Sequence, residues 1–504
     1  MRQPDQNEII EFLASGRAFG GAPVRHIETH ISHVFLVGDR AWKLKRAVRF
    51  NFLDFSTAER RRDACDREVV LNRRTAPSLY LGIRPVTWDE RCLAIDGEGA
   101  PVDWLVEMRR FDERTLLHRC ARSGHLTPEL AADLVERVVA FHEAAERRLD
   151  KGTAAAMRRN ARDVAANLRE FGGGQFDLGA VDSWAQRIDQ TLLSHAALIE
   201  QRREAGFVRQ CHGDLHLANI CIVDGEPTLF DCIEFSDDIA CIDVLFDLAF
   251  LLMDLLFHGL HVIANLVLNR YLSATRDFGG LVLMPAMLSL RAAIRGMAVA
   301  IEIAEDGDPT GELGREARIH FGLALRLLER PVPRLIAVGG LSGTGKSSLA
   351  AALAVRLAPG AGAVVVASDV VRKRLFGCRP EDRLPDEAYA EAVSERVYAR
   401  LFDDVRKALG AGQVVIADAT WIRQEDRRDI AELAPPGLRF SGLWLDAPEG
   451  VLRARVAART GDPSDADVAV LARQLSQNPG SIEWTRLDAA KSGVVTEALL
   501  AISS

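Results

Sequence analysis

The stretch Gly340-Leu-Ser-Gly-Thr-Gly-Lys-Ser347 decides how the last third of this 504-residue chain folds. Its spacing, Gly-x-x-x-x-Gly-Lys-Ser, is that of a loop whose backbone N–H groups surround phosphate groups. The apolar run 335–338 precedes this loop, and the run 348–353, rich in alanine and leucine, follows it. Because such a loop normally joins a strand to a helix, this context predicts a nucleotide site.

Each residue type in the loop has an expected role. Gly343 and Gly345 let the backbone approach phosphate, Lys346 neutralises it, and the Ser347 hydroxyl is expected to bind Mg²⁺. ATP and Mg²⁺ are therefore the expected cofactors. The residues that we expect at the nucleotide are Gly340, Gly343, Thr344, Gly345, Lys346, Ser347 and Ser348.

In the part of the chain that contains this loop, short apolar runs alternate with helical segments. The runs are 335–338, 364–367, 414–417 and 443–445. This alternation predicts an α/β fold with a mostly parallel sheet and helices on both faces. The preceding Arg330-Pro-Val-Pro-Arg334 is the best linker, because its prolines stop a helix and favour extended chain. We therefore place this domain at residues 332–504.

An acidic residue follows the second of these strands. Asp369 comes directly after it, and Arg372 follows three residues later. The carboxylate is suited to activate a substrate hydroxyl, and the arginine to hold a substrate anion. The alternative for Asp369 is a cap on the next helix.

This half resembles the small P-loop kinases related to polynucleotide kinase, gluconate kinase, chloramphenicol phosphotransferase and zeta toxin. The resemblance implies that Asp418, at the end of the third run, faces metal or substrate. It also implies that Arg455 and Arg459 belong to a lid that closes over ATP. The alternative for these arginines is a solvated helix face.

A second phosphotransfer pattern lies upstream, in His212-Gly-Asp-Leu-His-Leu-Ala-Asn219. Asp214 is placed to accept or orient the proton of an attacking hydroxyl, and Asn219 to ligate Mg²⁺. Asp231 ends an apolar strand shortly after, where a second carboxylate would bridge the metal to the β and γ phosphates. The alternative is a solvated loop and hairpin, but two such ordered motifs rarely arise together.

Across roughly residues 20–325 the chain resembles the aminoglycoside phosphotransferase family, which includes choline and fructosamine kinases. The catalytic-loop motif carries the resemblance, and it implies phosphorylation of small-molecule hydroxyls. The family's nucleotide lysine is expected in Trp42-Lys-Leu-Lys45. Lys43 and Lys45 point to the same side of a strand, so both stay candidates, with Lys43 favoured.

The same resemblance places other members of this site. The carboxylate partner of the lysine is expected to be Glu68, with Glu59 as the alternative. Glu234 is a possible additional acid near the metal, and Met108, with its preceding glutamate, is the expected hinge that meets adenine. For His142, His216 and Asp247 we favour packing and hydrogen bonding over catalysis.

The distribution of strand-like and helix-like patterns supports a two-lobed α+β fold for this half. Apolar, strand-like runs lie in residues 1–108, and helical patterns dominate residues 109–329. We therefore predict a kinase-like domain at 1–329 with a small N-terminal lobe and a helical C-terminal lobe. The apolar segment 244–268 is interrupted by charged residues, which predicts a buried helix and not a membrane span.

Composition narrows the possible partners and location. The net charge of −8 argues against a general nucleic-acid binder. The N-terminal residues lack the basic and apolar layout of a signal peptide, so a cytoplasmic location is expected. The eight cysteines form no Cys-x-x-Cys pair, which predicts reduced thiols and no zinc site.

The whole chain resembles fused proteins that join an aminoglycoside phosphotransferase-like domain to an ATP-binding P-loop domain. This predicts a bifunctional, Mg²⁺-ATP-dependent phosphotransferase that acts on the hydroxyl groups of a small molecule. Two alternatives concern the C-terminal half, which would be either a regulatory P-loop ATPase or a kinase for nucleic-acid 5′-hydroxyls.

Overall fold

The structure, a computed structural model, describes residues 4–50, 53–308, 310–458 and 464–503. It divides into two compact units, each made of two chain segments. The first unit comprises Met1–Arg158 and Ala196–Leu251, and the second comprises Arg159–His195 and Leu252–Ser504.

The chain begins with an antiparallel sheet and one long helix. Its elements are α1 (Gln6–Ala14), β1 (Arg25–Glu28), β2 (Ser32–Val37), β3 (Arg40–Lys45), β4 (Arg49–Phe50), β5 (Leu53–Asp54), α2 (Ala58–Asn72), β6 (Tyr80–Trp88), β7 (Leu93–Ile95) and β8 (Ala100–Arg109). The sheet has the order β1-β2-β3-β8-β6-β7. The predicted Gly38-Asp39 turn joins β2 to β3, and Gly38 adopts a φ of 56° there. This is the predicted strand-rich lobe.

Helices dominate the next part of the chain, as predicted. The elements are α3 (Leu117–Arg122), α4 (Pro128–Ala144), α5 (Ala154–Phe171), α6 (Leu178–Ser194), α7 (Ala196–Glu204), β9 (Val208–Gln210), β10 (Ile220–Val223), β11 (Glu226–Leu229), α8 (Asp237–Ala240), β12 (Cys241–Asp243) and α9 (Val244–Phe257). The short strands form two antiparallel pairs, β10 with β11 and β9 with β12. The residues of the predicted catalytic loop lie between β9 and β10.

The rest of the chain contains the predicted parallel sheet. Its elements are α10 (His261–Thr275), α11 (Met284–Asp306), α12 (Glu312–Leu327), β13 (Arg334–Gly340), α13 (Lys346–Leu357), β14 (Val364–Ala367), α14 (Ser368–Leu375), α15 (Glu391–Gly410), β15 (Val414–Asp418), α16 (Gln424–Glu432), β16 (Arg439–Asp446), α17 (Glu449–Ala457), α18 (Val468–Ser476), β17 (Thr485–Asp488) and α19 (Val494–Ser503). The strand order is β14-β15-β13-β16-β17, and all pairings are parallel. The four predicted strands are confirmed, and β17 is an addition.

The segment 244–268, expected to be one buried helix, contains α9 and the start of α10. The break falls at Gly259, whose φ of 73° is the left-handed conformation that ends many helices. Within the described ranges, Gly279–Glu305 is the one helical segment long and apolar enough to cross a bilayer. Two-thirds of its apolar window (67%) is buried inside the protein, as in a core helix.

Helix α10 lies against the edge strand of the parallel sheet. The Asn265 amide donates hydrogen bonds of 2.7 and 3.0 Å to the carbonyls of Ala361 and Ala363. The Asn269 side chain accepts one of 2.7 Å from Val365 N–H and donates one of 3.2 Å to Ala363 O. These two side chains therefore pair with backbone groups that a neighbouring strand would otherwise satisfy.

The compact units do not coincide with the domains predicted from motifs. The second unit groups the segment from Leu252 onward with the parallel sheet. In it, α10 contacts β14, α13 and α14. The division into 1–329 and 332–504 stays a prediction about sequence domains, and packing joins α10 to the P-loop half.

Candidate active sites

In the first unit, Lys43 occupies the centre of a charged cluster. Its Nζ atom donates hydrogen bonds of 2.9 Å to Glu68 Oε1 and 2.6 Å to Asp231 Oδ1. Burial alone would lower the pKa of Lys43, but the carboxylates of Asp231 and Glu68 raise it well above its usual value. An ion pair between a sheet lysine and a helix glutamate, such as that of Lys43 with Glu68, is what a kinase-like nucleotide site requires.

The other candidate lysine lies deeper. The Lys45 side chain is 0% exposed, compared with 12% for Lys43. Its Nζ atom donates to Glu68 Oε2 at 2.6 Å and to Glu234. Glu59 lies in the exposed first turn of α2. Of the two candidate carboxylates, the geometry therefore favours Glu68, and of the two lysines it favours Lys43.

The predicted catalytic residues Asp214 and Asn219 lie in direct contact. Asn219 Nδ2 donates to the Asp214 carboxylate at 2.8 Å and to its carbonyl at 3.0 Å. His216 Nε2 lies 3.1 Å from the same carboxylate. These contacts fix the orientation of Asp214, whose side chain stays 33% exposed and accessible to an acceptor.

The buried side chain of Asp247 forms hydrogen bonds with the backbone of the catalytic loop. The backbone N–H groups of His212 and Gly213 donate to Asp247 at 3.1 and 2.9 Å. His142 Nε2 lies 3.1 Å from the same carboxylate. Gly213 has a φ of 82°, which favours glycine. Asp247 and His142 therefore position the loop, which agrees with the structural role favoured from the sequence.

Asp231 follows β11 in an unusual backbone conformation. Its φ is 61°, and its N–H group donates to Tyr80 Oη at 3.1 Å. This conformation brings its carboxylate to Lys43. Asn219 and Asp231 offer oxygen donors of the kind that Mg²⁺ prefers, so their side chains fit the expected metal.

Met108 lies where the chain leaves the sheet. It pairs in register with Ala41 of β3 and Tyr80 of β6, and its side chain is buried. β8 ends one residue later, before the helical lobe begins. This position matches that of the predicted hinge, and contact between Met108 and adenine stays a prediction.

In the second unit, three glycines shape the phosphate loop between β13 and α13. Gly340, Gly343 and Gly345 have φ values of 137°, 87° and 87°. A Cβ atom at Gly340 would lie 2.5 Å from Leu445 O, and one at Gly343 would lie 2.8 Å from Leu452 O. Both conformation and space therefore require glycine at these two positions.

The two polar residues at the end of this loop have separate partners. The Ser347 hydroxyl donates a 2.7 Å hydrogen bond to Asp418 Oδ2 at the end of β15. Lys346 Nζ donates to Leu341 O at 3.1 Å, and so does the Thr344 hydroxyl at 2.8 Å. The adjacent hydroxyl and carboxylate oxygens of Ser347 and Asp418 fit a Mg²⁺ ion.

Asp369 lies in the first turn of α14 and lines a cavity of about 680 Å³. Ser347, Ser348 and Asp418 line the same cavity. The N-cap of α14 is Ala367, and no side chain caps this helix end. Asp369 therefore lines the cavity that the phosphate loop also lines, and it does not occupy the N-cap position.

Arg372 also lines the cavity, but protein groups hold its guanidinium. It donates to Ala388 O at 2.6 Å and lies 3.3 Å from the Ser394 hydroxyl. The guanidinium also lies 4.9 Å from the centre of the Tyr389 ring. Arg372 therefore braces the segment around Tyr389, and its expected role in holding a substrate anion stays a prediction.

One of the two expected lid arginines lies beside the phosphate loop. Arg455 donates to Gly343 O at 3.4 Å and to Ala489 O at 3.0 Å. Arg459 lies outside the described residues. The position of Arg455 agrees with a role near the nucleotide.

Comparison with known proteins covers nearly the whole chain. It is 33% identical over 475 residues to the uncharacterized protein Rv2004c of Mycobacterium tuberculosis, covering 92% of each chain. The chain belongs to the family of Rv2004c. A counterpart in Mycobacterium bovis has the same identity and coverage. In the present chain, residues 35–282 match the Phosphotransferase enzyme family, and residues 335–478 match an AAA domain.

These matches agree with the two nucleotide motifs. The phosphotransferase match contains Lys43, Asp214 and Asp231. The AAA match contains Lys346 and, apart from Arg334, the parallel strands β13 to β16. The predicted pair of kinase-like domains is confirmed. The chain is an ATP-dependent kinase.

Solved structures are similar to one or the other part of the chain. A choline/ethanolamine kinase family protein from Mesorhizobium loti is 15% identical, with a TM-score of 0.39, and covers 64% of this chain and 95% of its own. A gluconokinase from Sinorhizobium meliloti is 24% identical, with a TM-score of 0.25 and coverages of 34% and 94%. The APS kinase of Mycobacterium tuberculosis is 22% identical, with a TM-score of 0.26 and coverages of 34% and 99%.

Sequence reasoning missed two residues that support the second site. Lys373 Nζ and Tyr389 Oη each donate a 2.6 Å hydrogen bond to Asp465 Oδ2. The N–H group of Ser342 donates to Gln474 Oε1 at 2.8 Å. Asp465 and Gln474 belong to no local motif, so no sequence signal identifies them.

Proposed function

We propose that the chain is a Mg²⁺-ATP-dependent phosphotransferase with two active sites, each of which phosphorylates a hydroxyl group of a small molecule. The observation that carries this proposal is a group of the same residue types in each unit. Lys43 bonds to Asp231 in the first unit. In the second unit Lys346 and Asp418 line one cavity, and Asp418 bonds to Ser347. Each unit also has a further acid suited to the acceptor, Asp214 or Asp369.

In the first site, Asp214 orients the acceptor hydroxyl and takes its proton. The hydroxyl oxygen forms a bond to the γ-phosphorus, and the bond between this phosphorus and the β–γ bridging oxygen breaks. ADP leaves with that oxygen. Lys43 holds the ATP phosphates, and Asn219 and Asp231 would hold Mg²⁺, which neutralises charge on the phosphates.

The second site has the same division of roles. Lys346 and the loop N–H groups hold the phosphates, and Ser347 and Asp418 would hold Mg²⁺. Asp369 takes the proton of the acceptor hydroxyl. Asp369 lines the cavity in addition to Asp418, and we take this second carboxylate as support for a kinase over a regulatory ATPase. Action in the cytoplasm on a small-molecule acceptor is part of this proposal.

The test is a screen of hydroxyl-bearing metabolites with radiolabelled ATP. The full chain is compared with Asp214→Asn, with Lys346→Ala and with the double variant. We expect each single variant to lose the products of one site and the double variant to lose all of them. Undiminished labelling by the double variant would contradict the assignment of both sites.

A further inference from the structure

Helix α10 has two faces of different character. The buried face, packed into the core, consists of Ile263, Ala264, Val267, Leu268, Tyr271 and Leu272. The other face lines the cavity of the phosphate loop with Val262, Asn265, Leu266, Asn269, Arg270 and Ser273. Since these positions recur every three or four residues, they form one stripe along the helix. The phosphotransferase-family match, 35–282, contains this helix, so one sequence domain supplies a wall of the other domain's site.

A second wall of the same cavity is α13, which starts at the phosphate loop. Ser347, Ser348, Ala351 and Val355 line the cavity from this helix. At 1.5 Å per residue, Val355 lies about 12 Å along the helix from Ser347. The cavity therefore extends from the phosphate loop along α13, and its lining changes from hydroxyl groups to aliphatic side chains.

The polar side chains of α10 in this cavity are already engaged by protein groups. Asn265 and Asn269 bond to the backbone at the edge of the sheet. Arg270 forms an ion pair with Glu381, with Nη2 and Oε2 2.8 Å apart. The surface that α10 and α13 offer a ligand is therefore mainly that of Val262, Leu266 and the aliphatic residues of α13.

We propose that α10 forms the acceptor-side wall of the P-loop site, and that the acceptor is an alcohol with an uncharged, apolar body. The body lies against the residues of α10 and α13 that line the cavity, and the hydroxyl points to Asp369. This inference rests on the function proposed for the same site and specifies its substrate class. The hydroxyl oxygen bonds to the γ-phosphorus, the bond to the bridging oxygen breaks, ADP leaves and the proton passes to Asp369.

A highly polar acceptor such as a sugar acid fits this section of the cavity less well. Its hydroxyl and carboxylate groups would lose hydrogen bonds to water and meet aliphatic side chains instead. An apolar body gains free energy from the same burial. The aliphatic wall therefore favours acceptors with an apolar body, and Asp369 favours acceptors with a hydroxyl group.

The test uses the full chain and the uncharged fluorophore N-phenyl-1-naphthylamine, whose emission rises in apolar surroundings. We expect saturable binding that persists when Mg²⁺ and the non-hydrolysable analogue AMP-PNP saturate the nucleotide site. Leu266→Trp and Val262→Trp should each weaken probe binding at least tenfold and leave AMP-PNP affinity unchanged. Val262 lines the cavity and is 62% exposed, so its replacement does not disturb the core. The matched control is Leu500→Trp on α19, where the leucine is 66% exposed.

Three results would overturn the proposal. These are no saturable probe binding, displacement of the probe by AMP-PNP, and unchanged probe affinity in both cavity variants. Because probe binding needs no phosphate transfer, the measurement is separate from the test of the proposed function. An Asp369→Asn variant that binds the probe but keeps full transfer would reject the catalytic role of Asp369 and leave the wall in place.

Discussion

The ammonium group of Lys43 lies 2.9 Å from the carboxylate of Glu68, and this contact ties β3 to α2. The same ammonium reaches the acid that follows β11, Asp231, at 2.6 Å. Lys45, two residues away, meets Glu68 from the buried side. Glu68 thus contacts both Lys43, for which we propose the nucleotide role, and the more deeply buried Lys45.

This difference in burial predicts different defects for the two lysines. Lys43→Met should reduce transfer at the first site by about 10²–10³-fold, the usual effect of losing one preorganised electrostatic group. Its folding should be little affected. The measurement is transfer to an acceptor assigned to this site, in a Lys346→Ala background, together with thermal unfolding.

Lys45→Met should instead destabilise the first unit. It leaves Glu68 and Glu234 buried without their shared cation, a change that costs about 3–5 kcal/mol when a buried pair is broken. Thermal or urea unfolding measures this loss. If Lys45→Met unfolds like the unmodified chain but loses ATP binding, the roles of the two lysines are reversed.

Asp214→Asn should lose transfer at the first site and keep its nucleotide affinity. The asparagine preserves the shape of the side chain and its contacts with Asn219 and His216, but it cannot take a proton. Loss of a general base typically costs about 10²–10⁴-fold in rate. Calorimetry with AMP-PNP and a transfer assay, both in the Lys346→Ala background, separate the two effects. Full transfer by this variant would rule out Asp214 as the base.

The second site should respond differently to two substitutions. Lys346→Ala removes the phosphate-binding ammonium, so both nucleotide affinity and transfer should fall. Asp369→Asn should spare nucleotide affinity and stop transfer, because the role proposed for Asp369, which lines the cavity, is at the acceptor hydroxyl. Calorimetry and acceptor-dependent ADP release, measured in an Asp214→Asn background, test this difference. Equal acceptor-dependent turnover in Asp369→Asn and its parent would rule out Asp369 as the base of the second site. Nucleotide turnover that no acceptor stimulates would favour a nucleotide-driven regulator.

The candidate residues of both sites can be named from the sequence because each belongs to a local pattern. The spacing within the phosphate loop indicates Lys346 and Ser347. The spacing within the catalytic loop in the same way indicates Asp214 and Asn219. The choice between Lys43 and Lys45 is not local, since both side chains point to the same side of β3. It depends on the left-handed turn at Asp231, which the sequence did not reveal.

The contribution of α10 is beyond sequence reasoning for a different reason. Asn265 and Asn269 look like ordinary polar positions of a helix within the phosphotransferase match. Each bonds to a backbone group 96 residues further along the chain, at Ala361 and Val365. A contact between residues so far apart in sequence depends on tertiary packing, so the local sequence pattern does not predict it.

The stability of the second unit should depend on pH through Asp465. Burial would raise the pKa of this carboxyl, but hydrogen bonds from Lys373, Tyr389 and the Leu384 N–H group lower it below its usual value. A folded-state pKa below the unfolded one adds stability above the unfolded value, about 3.9. This contribution is lost as the pH falls through the folded value.

We therefore expect Asp465→Asn to lower the unfolding temperature near neutral pH. The difference from the unmodified chain should shrink below about pH 4, where the native carboxyl also becomes neutral. The measurement uses the Asp214→Asn, Lys43→Met background, in which the first site is impaired. The unfolding transition that AMP-PNP shifts in this background is assigned to the second unit and is followed as the pH changes. Asp386→Asn, an exposed aspartate on a nearby turn of helix, is the control and should show no such dependence. A constant difference down to about pH 3 would contradict the expectation.

Asn269→Leu should uncover the edge of the parallel sheet. It removes the acceptor for the Val365 N–H group and a donor to Ala363 O, and an unpaired buried backbone group costs about 1–3 kcal/mol. Hydrogen exchange of the Val365 amide is the direct measurement, since its protection should fall more than that of the central strand β13. Ser273→Ala on the same face is the matched control, because its hydroxyl bonds within α10, to Arg270 O, and should change stability by less than about 0.5 kcal/mol. If the Val365 amide keeps its protection in Asn269→Leu, the hydrogen bonds from Asn269 do not protect this edge of the sheet. The position of α10 in the wall of the P-loop cavity would then not depend on them.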